Sequence, residues 1–186
     1  FNKMQIAAKN DGVDLKIASA HRGYNRQKHI WNTKFKKFTT EFKLKPSQAV
    51  YEIIRFSTIP GTSRHHWGTE IDIIDSNYPD EEDVLISKKF EKDGIFFKVK
   101  NWLNINSEKF GFYITYNNDP NRKGFEYEPW HYSYVPISKK MLSLFLKSDL
   151  KKVIKKEEIK GSEYFTDNFI EKYKKEYILD INKDLK

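Results

Sequence analysis

The sequence predicts an α+β fold, a small antiparallel sheet with helices packed around it. Three observations carry that expectation. Segments with helical periodicity are interspersed with a few short alternating segments, without the regular βαβ repeat that builds a parallel sheet. The alternating segments are far apart in the chain and separated by turn-rich sequence. The composition, 38 % hydrophobic and 16 % aromatic over 186 residues with only 8 Gly and 6 Pro, suits one globular unit with modest appendages.

Taken in order, Asn25 to Phe38 reads as a helix with Ile30, Trp31, Phe35 and Phe38 on one broad face. A second helix starts at Pro46, a residue tolerated in a first turn, gathers Ala49, Val50, Ile53 and Ile54, and ends before Ile59-Pro60-Gly61. Gly68 to Ile74 alternates, with Ile71 and Ile73 on one face and Glu70 and Asp72 on the other, so one strand face carries two carboxylates. Ile95, Val99, Trp102 and Leu103 are spaced for a helix, and Phe110 to Tyr116 for a strand. After the turn-rich Asn117 to Asn121, Pro129 to Val135 reads as a further strand, and Ser138 as the cap of a helix carrying Met141, Leu142, Phe145 and Leu146. In the tail, Phe165, Phe169, Tyr173 and Tyr177 recur every four residues, which predicts a helix docked on the rest.

The formal charge is +8, and its excess is confined to one end. Residues 1–60 carry 12 basic and 4 acidic side chains, 61–150 carry 12 and 14, and 151–186 carry 10 and 8. Around Lys34, Lys36, Lys37, Lys43 and Lys45 the lysines alternate with aromatic residues. The solvated face of an amphipathic helix explains this better than a patch for an anionic polymer. Lys outnumbers Arg by 29 to 5, a poor basis for bidentate base reading, so no nucleic-acid partner is expected. No segment approaches the roughly 18–20 apolar residues of a membrane helix. Phe1 to Asn10 lacks the apolar stretch of a signal peptide, and a chain opening at Phe1 fits a processed or trimmed form whose targeting segment is out of view.

The chain has no cysteine, which removes disulfides, thiolate metal sites and cysteine nucleophiles; any metal has to be held by nitrogen and oxygen. Of the five histidines, three stand in two informative segments. In Ser63-Arg64-His65-His66-Trp67-Gly68-Thr69-Glu70-Ile71-Asp72, a loop bearing imidazoles runs into a strand bearing carboxylates. In Glu126-Tyr127-Glu128-Pro129-Trp130-His131-Tyr132, a His follows a Glu by three residues in an aromatic setting. Alone, the second reads better as a strand with a buried, hydrogen-bonded His at the edge of an aromatic core. Together the two supply the two imidazoles, one carboxylate and one spare Glu that a zinc hydrolase requires.

Ser63-x-His65-x-x-Gly68-x-x-x-Asp72, followed downstream by Glu128-Pro129-Trp130-His131-Tyr132, resembles the zinc D-Ala-D-Ala carboxypeptidases of the VanY type. That group sits within the wider set that holds LD-carboxypeptidases and murein endopeptidases. Ser19-Ala20-His21-Arg22, with Gln27 after it, is similar to the S-x-x-R segment upstream of the first ligand. The resemblance spans roughly residues 13–136. It implies one Zn2+ per chain on His65, Asp72 and His131 at the sheet face, Glu128 as general base, Arg22 as the cation for substrate or oxyanion, and Ser63 and Gln27 as substrate contacts. A zinc held by two neutral imidazoles and one carboxylate keeps net positive charge, in keeping with that role.

The chain departs from the family pattern at three places: His21 stands where Tyr is usual, Arg64 where Glu is frequent, and Glu70 where a small residue is usual. His21 reads as a substrate contact, in preference to a surface histidine. Arg64 reads as a second cation for an acidic peptide or as a solvent-facing side chain. Glu70 reads as a support for His65 or a rival ligand, with the motif spacing selecting Asp72. Trp67 and Trp130 suit either a cleft wall or the core; His66 and His29 read as packed or exposed.

The expected organisation is a zinc peptidase domain over residues 1–147 and a C-terminal helical extension over 148–186. The resemblance implies a monomeric carboxypeptidase acting on the terminal D-Ala-D-Ala bond of peptidoglycan stem peptides, periplasmic or exported. An LD-carboxypeptidase or murein endopeptidase with the same centre, and a non-catalytic cell-wall-binding module, are the alternatives.

Overall fold

The computed structural model describes residues 1–186. Four strands, β1 (Leu15–Ser19), β2 (Glu70–Asp75), β3 (Phe112–Ile114) and β4 (His131–Tyr134), form one antiparallel sheet in the order β1-β2-β4-β3. Helices α1 (Asn2–Asn10) and α4 (Phe97–Asn106) cover one face, where Ile71 and Ile73 meet Met4, Ala8, Leu15, Val99, Trp102, Leu103, Phe112 and Tyr132. The alternation along β2 therefore separates the two kinds of side chain as expected. The isoleucines anchor the core, and Glu70 and Asp72 turn to the opposite face.

On that opposite side lie α2 (Tyr24–Thr40) and α3 (Pro46–Ile54). Pro46 opens α3, and the Gln48 side chain accepts from the Lys45 backbone N–H at 3.1 Å, closing the first turn. Trp31, Val50, Ile53 and Ile54 join a larger core that the tail completes with Ile154, Ile159, Phe165, Phe169, Ile170, Tyr173, Ile178, Ile181 and Leu185. The tail runs through α6 (Leu150–Val153) and α7 (Asp167–Tyr173), after a longer α5 (Val135–Leu146) that leads out of the sheet. Thr166 caps α7 through Oγ1, and the four-residue aromatic spacing becomes a ladder of near-parallel rings. Phe165 lies 5.3 Å from Phe169, Phe169 6.3 Å from Tyr173, and Tyr173 5.2 Å from Tyr177 between ring centroids.

Some elements differ from expectation for local reasons. The helix after β4 begins at Val135, not beyond Ser138: Pro136 takes the first turn, and Ser138 lies buried inside α5 with no capping bond. The strand expected over 110–116 is only Phe112–Ile114, because Ser107–Phe110 forms a 3-10 turn that Gly111 ends in the left-handed region, φ 80°. Helix α1 and edge strand β1 were not anticipated. The apolar contacts of α1 are spread over Met4 and Ala8 in a polar segment, and Ile17 of β1 faces solvent. No helix is long and apolar enough to cross a membrane.

Candidate metal centre

Strand register brings the key residues together. Asp72 of β2 pairs with His131 of β4 on one side and with Ser19 of β1 on the other, beside an irregularity between Ile17 and Ser19. Two positions earlier on β2, Glu70 pairs with Ser133. His65 arrives from a 3-10 turn, Arg64–Trp67, that ends at Gly68 with φ 70°. That left-handed conformation suits glycine and reverses the chain directly into β2.

The donor atoms of His65, Asp72 and His131 lie within 4.8 Å of one another, and all three residues are buried. His65 Nε2 is 3.5 Å from Asp72 Oδ2, and His131 Nδ1 is 3.5 Å from Asp72 Oδ1. The remaining imidazole nitrogens are held from behind: His65 Nδ1 donates to the Ala20 carbonyl at 2.7 Å and His131 Nε2 to Glu70 Oε2 at 2.9 Å. Each ring is thus fixed with a defined nitrogen turned inward, the arrangement that orients imidazole ligands. Asp72 Oδ1 is buried without any hydrogen-bond partner. An orphaned carboxylate oxygen facing two oriented imidazoles fits a divalent cation taking nitrogen and oxygen donors. This triad is capable of holding a single Zn2+.

Electrostatics keep the set poised. Burial and the neighbouring His131 push His65 down to about 2, so it stays neutral and able to ligate. For His131, burial opposes the charged form but is outweighed by hydrogen bonds to Glu128 and Glu70 and by Asp72, which carry it up to about 10. Burial raises Asp72 to about 6 against the pull of His131. Glu70 is wholly buried, yet Arg64 and His131 hold it far below the usual carboxylate range.

Glu128 Oε2 lies 3.0 Å from His131 Nδ1. A turn in which His131 N–H donates to the Glu128 carbonyl, itself followed back to Tyr116 by the Glu128 N–H, fixes this spacing. The carboxylate is beside the ligand set without belonging to it. Arg22 Nη2 stands 3.8 Å from Asp72 Oδ2 and donates to Ser19 Oγ, while Arg22 Nη1 donates to Gln27 Oε1. A cavity of about 620 Å3 opens over these groups, lined by Arg22, Ser63, His65, Asp72, Glu128 and His131, with Trp130 and Tyr116 among its aromatic walls.

Two expected substrate contacts lie elsewhere. Gln27 is fully buried, with its amide donating to the Thr58 carbonyl and its oxygen accepting from Arg22; it positions that guanidinium and does not line the cavity. His21 is exposed just after β1 and is absent from the lining. Arg64 is neither solvent-facing nor free. It is buried, 3.1 Å from Glu70 Oε1 and 2.9 Å from Ser133 Oγ, with its guanidinium 4.7 Å over Trp67. Glu70 supports His131, not His65, so the two departures from the family pattern answer each other as one buried ion pair. Trp67 packs against Phe145. His66 accepts from the Gly61 N–H at 3.1 Å and bonds the Arg22 carbonyl, joining two loops of the site; His29 is exposed. Neither the His66 link nor the Glu70–Arg64 pairing had a readable sequence signal beyond the polar residue types themselves.

Residues 1–137 match the family described as VanY, D-alanyl-D-alanine carboxypeptidase. The chain belongs to the VanY family. The match extends further toward the N-terminus than the motifs alone implied, taking in α1. A D-alanyl-D-alanine carboxypeptidase of Enterococcus faecalis is 34 % identical over 138 residues, 70 % of this chain and 44 % of the relative; the chain thus spans under half the length of that protein. Among solved structures, VanYB in complex with D-alanine-D-alanine superposes with a TM-score of 0.59 at 28 % identity, covering 81 % of this chain and 76 % of that one. A VanB-type D,D-pentapeptidase VanY in complex with Zn(II) follows with a TM-score of 0.57 at 26 % identity, covering 82 % and 78 %. This VanY-family chain is a zinc metallopeptidase by fold and ligand set, and its last 49 residues, 138–186, lie beyond the family match.

Proposed function

We propose that this protein is a zinc-dependent carboxypeptidase that removes the terminal D-Ala from peptidoglycan stem peptides ending in D-Ala-D-Ala. The observation that carries this reading is a free carboxylate, Glu128, fixed 3.0 Å from the inward nitrogen of His131 beside a complete His65, Asp72 and His131 set. A binding module has no use for such a base.

His65, Asp72 and His131 would hold a Zn2+, which when bound would supply Lewis-acid polarisation of the scissile carbonyl and acidify the attacking water. Glu128 takes the proton from that water and returns it to the leaving amine. Arg22, braced by Gln27, offers its guanidinium to the developing oxyanion or to substrate, a kind of stabilisation worth about 3–4 kcal/mol per donor where it has been removed. Ser63, on the cavity wall, is the proposed contact to the peptide, supported by its position in that lining. Such a substrate lies outside the cytoplasmic membrane, and we place the protein there, periplasmic or exported, acting as a monomer.

The zinc-loaded protein incubated with pentapeptide, tetrapeptide and cross-linked muropeptides gives the test. Loss of one D-Ala from pentapeptide alone, read by product mass, supports the reading. Trimming of tetrapeptide would make it an LD-carboxypeptidase, opening of cross-links an endopeptidase, and no product from any of the three would leave the cell-wall binder.

A further inference from the structure

The cavity contains a cation that the proposed chemistry does not use. Lys34 stands on α2 seven residues after Gln27, two turns along the same helix stripe, with Ile30 between them also on the cavity wall. Its half-buried ammonium donates to Ser57 Oγ at 2.7 Å. It makes no ion pair, unlike Lys28 with Glu158, Arg22 with Asp72 or Arg64 with Glu70. The seat itself is firm, because Ser57 is buried and Thr58 beside it accepts from the buried Gln27 amide at 2.8 Å.

An ammonium has three donors, and one neutral hydroxyl satisfies one of them. Burial pushes the Lys34 ammonium below its ordinary value, and its charged neighbours are Glu128, which favours the charge, and Arg22, which opposes it. A pin between α2 and the 57–58 segment would need only a neutral donor. A partly desolvated ammonium on the wall of a cavity of about 620 Å3, hydrogen-bonded to one neutral hydroxyl and with the influence of Glu128 opposed by Arg22, keeps donor capacity for a further anion. The complement in a peptide is a carboxylate.

We propose that Lys34, seated on Ser57, is a carboxylate-binding residue of the substrate cavity, distinct from Arg22, and sets a preference for acidic peptides. The identity of the ligand as a peptide rests on the peptidase reading. The carboxylate has two possible sources, the C-terminal α-carboxylate or a side-chain carboxylate within the stem.

Binding is measured by tryptophan fluorescence, Trp130 lying on the same cavity wall, in zinc-loaded Glu128→Ala protein so that peptide persists. Three probes are used: a peptide ending in D-Ala-D-Ala with a neutral third residue, its C-terminal amide, and the same acid with a carboxylate on the third side chain. Adding Lys34→Met is expected to raise Kd about 10- to 100-fold for a probe whose carboxylate it receives. Lys34→Arg is expected to recover most of the affinity. A loss on both free-acid peptides that is absent with the amide assigns the α-carboxylate; a loss only on the third-residue acid assigns the stem. Thermal melting checks each variant, and Lys34→Gln, which keeps a donor for Ser57, replaces Lys34→Met if the latter melts early. Equal affinity of the variants for all three probes overturns the proposal, as does failure of the Lys34-bearing protein to bind either acid. Lys34-dependent binding by a protein whose Glu128 form yields no product would leave this site standing and remove the peptidase reading instead.

Discussion

Glu70 Oε2 accepts from His131 Nε2 at 2.9 Å, and the other oxygen of the same carboxylate lies 3.1 Å from Arg64 Nη2. One buried anion thus orients a proposed zinc ligand and neutralises a buried guanidinium. Glu70→Gln keeps the shape but removes the charge that makes His131 a strong donor. It is expected to weaken zinc affinity about 10- to 100-fold, read by chelator competition. Glu70→Ala strands Arg64 as well and should cost about 3–5 kcal/mol in denaturant unfolding. Unchanged zinc affinity in Glu70→Gln would remove the orienting role.

Glu128 is separable from metal binding because it touches His131 without being required as a ligand. Glu128→Ala is expected to keep one zinc per chain by metal analysis while hydrolysis falls about 10²- to 10⁴-fold, the usual contribution of a general base. Full activity in this variant would eliminate it as the base.

Zinc binding should release protons, with a definite pH dependence. In the metal-free protein the hydrogen bonds from Glu128 and Glu70 outweigh burial and hold His131 up at about 10, and Asp72 sits at about 6. At pH 7 the imidazole is therefore charged, and a metal can occupy Nδ1 only when that proton leaves. Apparent zinc affinity rises with pH toward 10, with about one proton released at pH 7. Below about 6, protonation of Asp72 adds to the competition and the affinity falls more steeply. Calorimetry in buffers of differing ionisation enthalpy counts the protons; a count of zero at pH 7 contradicts the assignment. The sign for metal-free stability is opposite for His131: its folded value exceeds the ordinary 6.5, so that contribution is present below 6.5 and lost as pH rises through about 10.

The parts of this centre that were legible in the sequence share one property, that local pattern dictates them. Alternation placed Asp72 on the polar face of β2, the three-residue spacing set Glu128 against His131, and the four-residue aromatic recurrence predicted the docked helical segment of the tail, whose rings stack in a ladder. What escaped depends on contacts between distant segments. Nothing near Arg64 in the chain says whether it meets solvent or Ser133, 69 residues away. Nor does the Gln27 spacing reveal that both ends of its amide are consumed by Arg22 and Thr58. The edge strand β1 was hidden because its outward Ile17 and few buried residues blur the two-residue period.

The tail also reaches the metal loop. The Tyr173 hydroxyl accepts from the Ile59 N–H at 3.1 Å and donates to Thr62 Oγ1 at 2.9 Å, and Thr62 in turn bonds the Ile59 carbonyl. All of this is buried, one residue before Ser63 and three before His65. Nearby, a side chain at Gly61 would meet the Val153 carbonyl at 2.7 Å, so α6 closes on the same turn. Tyr173→Phe preserves the stacked ring and leaves the Ile59 N–H without a partner. The expected loss is about 1–3 kcal/mol, read as a fall in Tm of about 2–4 °C per kcal/mol for a chain of this size. Tyr164→Phe, on a partly exposed ring, should change stability by no more than about 0.5 kcal/mol. A chain ending at Lys147 loses more than half of the 17 residues in the larger core and is expected to show no cooperative melt. A stable, zinc-binding product of that truncation would show that the tail is dispensable to the fold.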